Sequence, residues 1–343
     1  SSGDGGQSPT RSRYTHCWRK PKTFAMSLLS WRGCGLPANP IGMILLSDNM
    51  RGALLMCAAM AAFTFGDASI KATGGDLPLS QLLVIRGVLA SAALIGMALY
   101  FKGLKLRLPT QDWILILARG LAETGAAYFF LTALLAMPLA NVTALLQMLP
   151  LTVTLGGALV FREAVGWRRW SAIIIGFVGM LLIVRPGTDG FTGASVYALC
   201  AVGAVTVRDL VTRRLSKDVP SLTVTVISSV IVTVFAGIWS VEQEWVAMTP
   251  RLSFLVMMAT AFIICAYLCS VMVMRVGEVS FIAPFRYTGL VWALILGFLI
   301  FGEWPETLTL IGAAIIVATG VFSLLREARL KRRARKPILP RQP

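Results

Sequence analysis

The residues of this chain that can do chemistry are charged side chains set inside long apolar stretches. Asp67 and Lys71 stand four apart in one stretch, Arg119 and Glu123 four apart in another, and Arg208, Asp209 and Arg213 share a third. Residues at i and i+4 lie on one face of a helix, so Asp67 can pair with Lys71 and Asp209 with Arg213. A charge in a membrane span costs about 3 kcal/mol or more unless it is paired or wetted, which makes each a candidate for ligand or coupling-ion binding. Glu123 suits a proton or an ammonium group, with a structural pair to Arg119 as the alternative. Lys71 and Arg213, near stretch ends, suit snorkelling to the interface. Polar residues beside prolines extend the set. Gln147 precedes Pro150 by three residues, and Arg286 and Tyr287 follow Pro284. Proline lacks an N–H and frees a carbonyl, and broken helices tend to bring polar groups to the middle of a membrane. With Tyr267, the substrate or coupling candidates are Asp67, Glu123, Gln147, Arg208, Asp209, Tyr267, Arg286 and Tyr287.

Ten apolar stretches between Arg51 and Arg326 must position these groups. They are 52–66, 79–100, 113–136, 141–161, 167–184, 195–212, 221–239, 252–274, 279–301 and 307–325. About 20 apolar residues cross a bilayer as a helix, which satisfies its own backbone there. The fold class is therefore an all-α integral membrane protein of ten transmembrane helices. Charged residues make up 14% of the chain, against roughly 25% in soluble domains. The net charge of +16 does not point to nucleic acid, because the surplus sits in residues 11–32, in 326–336 and in alternate loops. Such placement fits anchoring at anionic lipid, so membrane lipids are the expected partner. Loops 102–112, 162–169, 213–219 and 275–278 hold ten Lys and Arg, and the five remaining loops hold two. By the positive-inside rule both termini are cytoplasmic, in a multi-pass protein of the bacterial inner membrane.

Residues 1–42 form a polar Gly/Ser/Arg-rich leader, read as disordered or non-native, with Met43 and Met50 as alternative natural starts. Its His16, Cys17 and Cys34 do not have zinc-site spacing. Cys57, Cys200, Cys265 and Cys269 fall inside spans and read as small buried thiols rather than ligands, so no metal or cofactor is expected.

The chain repeats itself. A shift of 142 aligns Thr64 with Thr206, Asp67 with Asp209, Lys71 with Arg213, Asp76 with Asp218 and Pro78 with Pro220. A shift of 140 aligns Gly157 with Gly297, Phe161 with Phe301 and Glu163 with Glu303. The repeats are 51–187 (helices 1–5) and 195–326 (helices 6–10), followed by a basic cytoplasmic tail, 327–343. Five is odd, so the second repeat enters the membrane inverted. Inverted repeats characterise secondary transporters, in which two halves rock about a central site. Asp67 then lies toward the outside and Asp209 toward the cytoplasm, flanking one cavity.

The stretches PheArgGluAlaValGlyTrpArgArgTrp (161–170), GlyPheValGlyMetLeuLeuIleValArgProGly (176–187), AlaProPheArgTyrThrGlyLeuValTrpAla (283–293) and PheGlyGluTrpPro (301–305) resemble the EamA family of the drug/metabolite transporter superfamily. The resemblance covers about residues 50–326 and implies ten helices in two inverted five-helix repeats around a central cavity. It implies no particular substrate. It also implies a structural role for Arg86, since an Arg there is common in the family whatever the cargo. The family often has an acidic residue where this chain has Arg286.

The function that follows is secondary transport of a small metabolite by alternating access. More basic than acidic candidates favour an anionic or zwitterionic cargo of amino-acid, nucleoside/sulfonium or vitamin type. A coupling proton on Asp67, Glu123 or Asp209, exchange and facilitated diffusion all stay open. The alternatives are a drug exporter of the same fold and, in another class, an intramembrane enzyme. Enzyme motifs are wanting: the spans hold no histidine for a zinc or serine protease, and Thr64 breaks a GxGD pattern at Gly66–Asp67. There is no GxxxxGK[ST] loop for ATP.

Overall fold

The computed structural model describes residues 48–100, 103–163, 166–187, 192–216, 218–273, 276 and 279–334. The leader, the end of the tail and loop residues such as Lys102, Lys217 and Arg275 lie outside the described residues. In chain order the helices are α1 (Asp48–Lys71), α2 (Leu79–Tyr100), α3 (Thr110–Ala136), α4 (Leu139–Leu146), α5 (Leu149–Val160), α6 (Trp167–Val184), α7 (Gly193–Arg213), α8 (Ser221–Ser240), α9 (Pro250–Val273), α10 (Val279–Ile282), α11 (Thr288–Phe301) and α12 (Thr307–Ala334). A 3-10 turn, Ala283–Tyr287, joins α10 to α11.

Ten spans are long and apolar enough to cross a membrane, and among the described residues every regular element is helical. The protein is a multi-pass membrane protein of two five-span repeats. Two spans are broken, and they hold the same position in each repeat. The fourth divides at Gln147–Met148 into α4 and α5, and the ninth passes through the 3-10 turn. Pro150 and Pro284 explain the breaks. Neither can donate to the carbonyl four residues earlier, so the backbone tightens into i→i+3 bonds such as Met148 N–H to Leu145 O.

The main helix pairings run between the repeats rather than within them. Span one (α1) packs on span eight (α9), and span three (α3) on span six (α7), two pairings that the repeat exchanges. Span two packs on seven (α2 on α8), and five on ten (α6 on α12). Small residues allow the closest approaches. A Cβ on Gly179 or Gly312 would meet the carbonyl of the other, which holds α6 and α12 backbone to backbone.

The apolar packing is uneven along the bundle. At the end where α1 finishes, called here the Lys71 end, a large buried cluster joins Ala68, Ile70, Leu82, Leu134, Leu139, Leu252 and Leu296. At the opposite, Arg213 end, the cluster of α2 and α8 comprises Leu94, Ala98 and Val226. A cavity lies between the two.

Candidate functional site

The cavity has a volume of about 470 Å³ and is lined from both repeats. Of the eight candidates, Asp67, Glu123, Gln147, Arg208, Tyr267 and Arg286 line it; Asp209 and Tyr287 do not. The lining also includes Arg86, Arg119, Thr64, Phe63 and Ser228.

The broken spans meet at the cavity. Gln147 caps α4 at the break and is almost fully buried, with its amide beside the Gly289 backbone at the start of α11. Thr64 Oγ1 on α1 donates to Met60 O at 2.9 Å and lies 3.4 Å from Gly289 O. Arg286 projects from the 3-10 turn into the same space. Tyr287, one residue on, turns away. Its ring packs against Gly320 of α12, where any side chain would overlap the phenol oxygen, and its buried hydroxyl has no partner among the described residues. Adjacent positions on a tight turn point in different directions, which is why Arg286 faces the cavity and Tyr287 the bundle packing.

The cavity charges fall into two sets. Glu123 accepts from Arg208 Nη1 at 3.2 and 3.3 Å and lies 3.6 Å from Arg119 Nη2, one turn earlier on α3. Arg208 also bonds its chain neighbour Asp209 at 2.9 Å. Arg119 further donates to Thr212 Oγ1 at 3.0 Å and to Ser228 Oγ. Two cations and two carboxylates thus neutralise one another across α3 and α7. The second set is unpaired: Asp67, Arg86 and Arg286 have no hydrogen bond or ion pair among the described residues, although Asp67 and Arg86 feel each other electrostatically. Beside them Phe63 and Tyr267 meet edge to face at 5.8 Å, giving the wall an aromatic surface.

Both expected pairs of the Asp67 and Asp209 positions are corrected. Lys71 does not pair with Asp67. It forms an ion pair with Glu303 at 3.0 Å, donates to Met137 O at 2.6 Å, and its side chain is only 9% exposed, so it does not snorkel. Arg213 does not pair with Asp209; it lies 3.7 Å from Glu163. In each half the basic residue ends its helix, where it meets a glutamate of the other half more readily than the carboxylate one turn back. The expectation that the span cysteines are buried also fails: Cys200 and Cys265 are exposed and Cys57 and Cys269 half-buried.

Sequence reasoning gave Arg86 a structural role and left it out of the site candidates, although it lines the cavity. It is the only charge in α2, and an isolated charge within a span was itself the signal. Glu163 and Glu303 were visible as repeat partners, but the search for a mate to Lys71 stayed on its own helix.

Comparison with known proteins adds to this geometry. A model of the EamA-like transporter family matches residues 50–185 and again 193–325. The chain belongs to that family. Among its curated relatives in the family and superfamily is a riboflavin transporter of Vibrio cholerae, 28% identical over 83% of this chain and 97% of the relative. An S-adenosylmethionine uptake transporter of Rickettsia prowazekii is 23% identical over 82% and 95%. A pseudopaline exporter of Pseudomonas aeruginosa is 25% identical over 79% and 95%. A solved structure described only as the crystal structure of a protein superposes with a TM-score of 0.58 at 17% identity, covering 82% of this chain and 98% of its own. That likeness supports the fold. The relatives are transporters of small metabolites, and they include both uptake and export.

Proposed function

We propose that this EamA-family protein is a secondary transporter that carries a small anionic or zwitterionic metabolite by alternating access across a bacterial inner membrane. The observation that supports this reading most is the unpaired set in the cavity. Arg86 and Arg286 are two cavity-lining cations with no hydrogen bond or ion pair among the described residues. A guanidinium held in a membrane cavity is costly unless an anion or water meets it, and its planar fork suits a carboxylate or phosphate. Asp67 is the cavity carboxylate outside the neutral network, so it is the place for a cationic group of the cargo or for a coupling proton. The Glu123–Arg208–Asp209–Arg119 network then positions α3 against α7 rather than binding cargo. Gln147 supplies neutral hydrogen bonds at the break, and Phe63 and Tyr267 supply a surface for a flat ring. The cargo types carried by the relatives, a vitamin and a sulfonium amino-acid nucleoside among them, fit a cavity of this size and polarity. The excess of Lys and Arg in alternate loops supports cytoplasmic termini.

The test is a thermal-shift screen of the purified protein against amino acids, nucleosides, sulfonium compounds and vitamins, followed by liposome flux for each hit. Arg286→Gln should reduce flux of the best anionic or zwitterionic hit about tenfold or more, the loss of one charge-assisted bond. It should leave the melting temperature within a few degrees. Unchanged flux in Arg286→Gln and Arg86→Gln alike would overturn the cargo class.

A further inference from the structure

The repeat places two ion pairs at opposite ends of the bundle, and each joins one half to the other. Lys71 and Arg213 are equivalent positions, as are Glu303 and Glu163. At one end, Lys71 of the first half meets Glu303 of the second; at the other, Arg213 of the second half meets Glu163 of the first. The turns that present the two glutamates match as well. Gly302 and Arg162, again equivalent, both take positive φ, 65° and 54°. Glu303 N–H and Glu163 N–H bond Gly297 O and Gly157 O, at 2.9 and 3.3 Å.

The two pairs differ in closure. Lys71 and Glu303 lie 3.0 Å apart with side chains 9% and 27% exposed. Glu303 Oε2 also accepts from Leu139 N–H at 3.1 Å, and so caps the first turn of broken span four. Arg213 and Glu163 lie 3.7 Å apart with side chains 44% and 49% exposed. The residue equivalent to Leu139 is Val279, which begins broken span nine.

We infer that these two ion pairs are the latches of the alternating-access cycle, tightened one at a time, and that this structure is the state with the Lys71–Glu303 latch tight and the Arg213–Glu163 latch loose. This rests on the transporter reading. The physical reason is that each latch ties a helix end of one half, and in the Lys71 latch the broken-span terminus of that same half, to the glutamate loop of the other, so tightening it closes the cavity at that end. Two latches built from equivalent residues give two states of similar free energy, and a modest bias in either shifts the population. In the opposite state Arg213 and Glu163 close to direct contact, Glu163 caps α10 at Val279, and Lys71 separates from Glu303.

The experiment uses the full chain in proteoliposomes, free of cargo, with its native cysteines replaced. One reporter cysteine replaces Ala68, buried in the cluster at the Lys71 end, and another replaces Thr225, which lines the cavity about one turn from the start of α8. Maleimide labelling rates are the readout. Glu303→Gln should raise labelling of Ala68→Cys about fivefold or more and lower that of Thr225→Cys. Glu163→Gln should move both the other way or leave them unchanged. The exchanged pair, Lys71→Glu with Glu303→Lys, should restore the original rates, which separates a lost latch from a damaged fold. Equal rates in wild type and Glu303→Gln, or shifts of the same sign in Glu303→Gln and Glu163→Gln, would overturn the latches. Ala68→Cys that is labelled no faster than an unfolding control in any variant, with no flux of any screened compound, would overturn the transporter reading itself.

Discussion

Gln81, in the first turn of α2, brackets the loop after α8: its side-chain nitrogen donates to Val246 O at 2.8 Å and its oxygen accepts from Val246 N–H at 2.9 Å. At the opposite end the equivalent residue, Thr223 on α8, brackets the loop after α2. It donates to Gly103 O at 3.0 Å and accepts from Lys105 N–H at 3.0 Å. That pair of clasps is the same at both ends, whereas the ion pairs are not: Lys71–Glu303 is buried and capped, Arg213–Glu163 is half-exposed and longer. Contacts that match at both ends go with rigid packing, and those that differ go with the state of closure. Clasps between α2, α8 and their loops hold in one conformation at both ends at once. The ion pairs, built from equally equivalent residues, are tight at one end and loose at the other.

The largest expected effect falls on the tight pair. Glu303→Gln leaves Lys71 without its counter-charge in a largely dry site, and should cost about 2 kcal/mol, less than a fully buried pair because Glu303 keeps some water. Glu163→Gln, between exposed partners, should cost under about 0.5 kcal/mol. Unfolding in detergent measures both, and equal losses would break the comparison. The clasps should behave alike. Gln81→Leu and Thr223→Val each leave an N–H and a carbonyl without their partner and should each cost about 1 to 2 kcal/mol, with faster amide exchange at Val246 and Lys105 respectively. A clasp that matters at one end alone would show that the asymmetry extends beyond the ion pairs. The smallest effects concern the turns that present the glutamates. Gly302→Ala forces a side chain into left-handed backbone at a cost of about 1 kcal/mol, whereas Arg162→Gly relieves the same strain and should stabilise by a few tenths to about 1 kcal/mol. Opposite signs in one unfolding assay sharpen the view that the two turns are one device with different residues.

Much of the architecture was legible because membrane insertion is a local rule. A stretch of apolar residues crosses the bilayer whatever its neighbours do, so all ten spans stand in the sequence, as do Pro150 and Pro284, whose missing donors break spans four and nine. The repeat was legible for a similar reason, since equivalent residues keep a fixed offset. Ends of helices were less so: α1 begins at Asp48 and α12 runs to Ala334, past the apolar stretches, because polar turns extend helices beyond the hydrocarbon.

The cavity was legible only in part. Asp67, Glu123, Gln147, Arg208, Tyr267 and Arg286 announce themselves as polar groups in apolar helices, and they line it. Their partners do not follow from spacing. The i, i+4 rule finds Arg119 with Glu123 but assigns Lys71 to Asp67 and Arg213 to Asp209, since it sees one helix at a time. Short-range chemistry and a constant offset make the spans, their breaks and their duplication readable along the chain. Which charges meet depends on how the helices pack. Helices of one half pack mainly on helices of the other, so ion pairs form between residues 50 or more positions apart in the chain, such as Arg213–Glu163 and Lys71–Glu303. Asp67 is left facing the cavity because that packing gives Lys71 to Glu303.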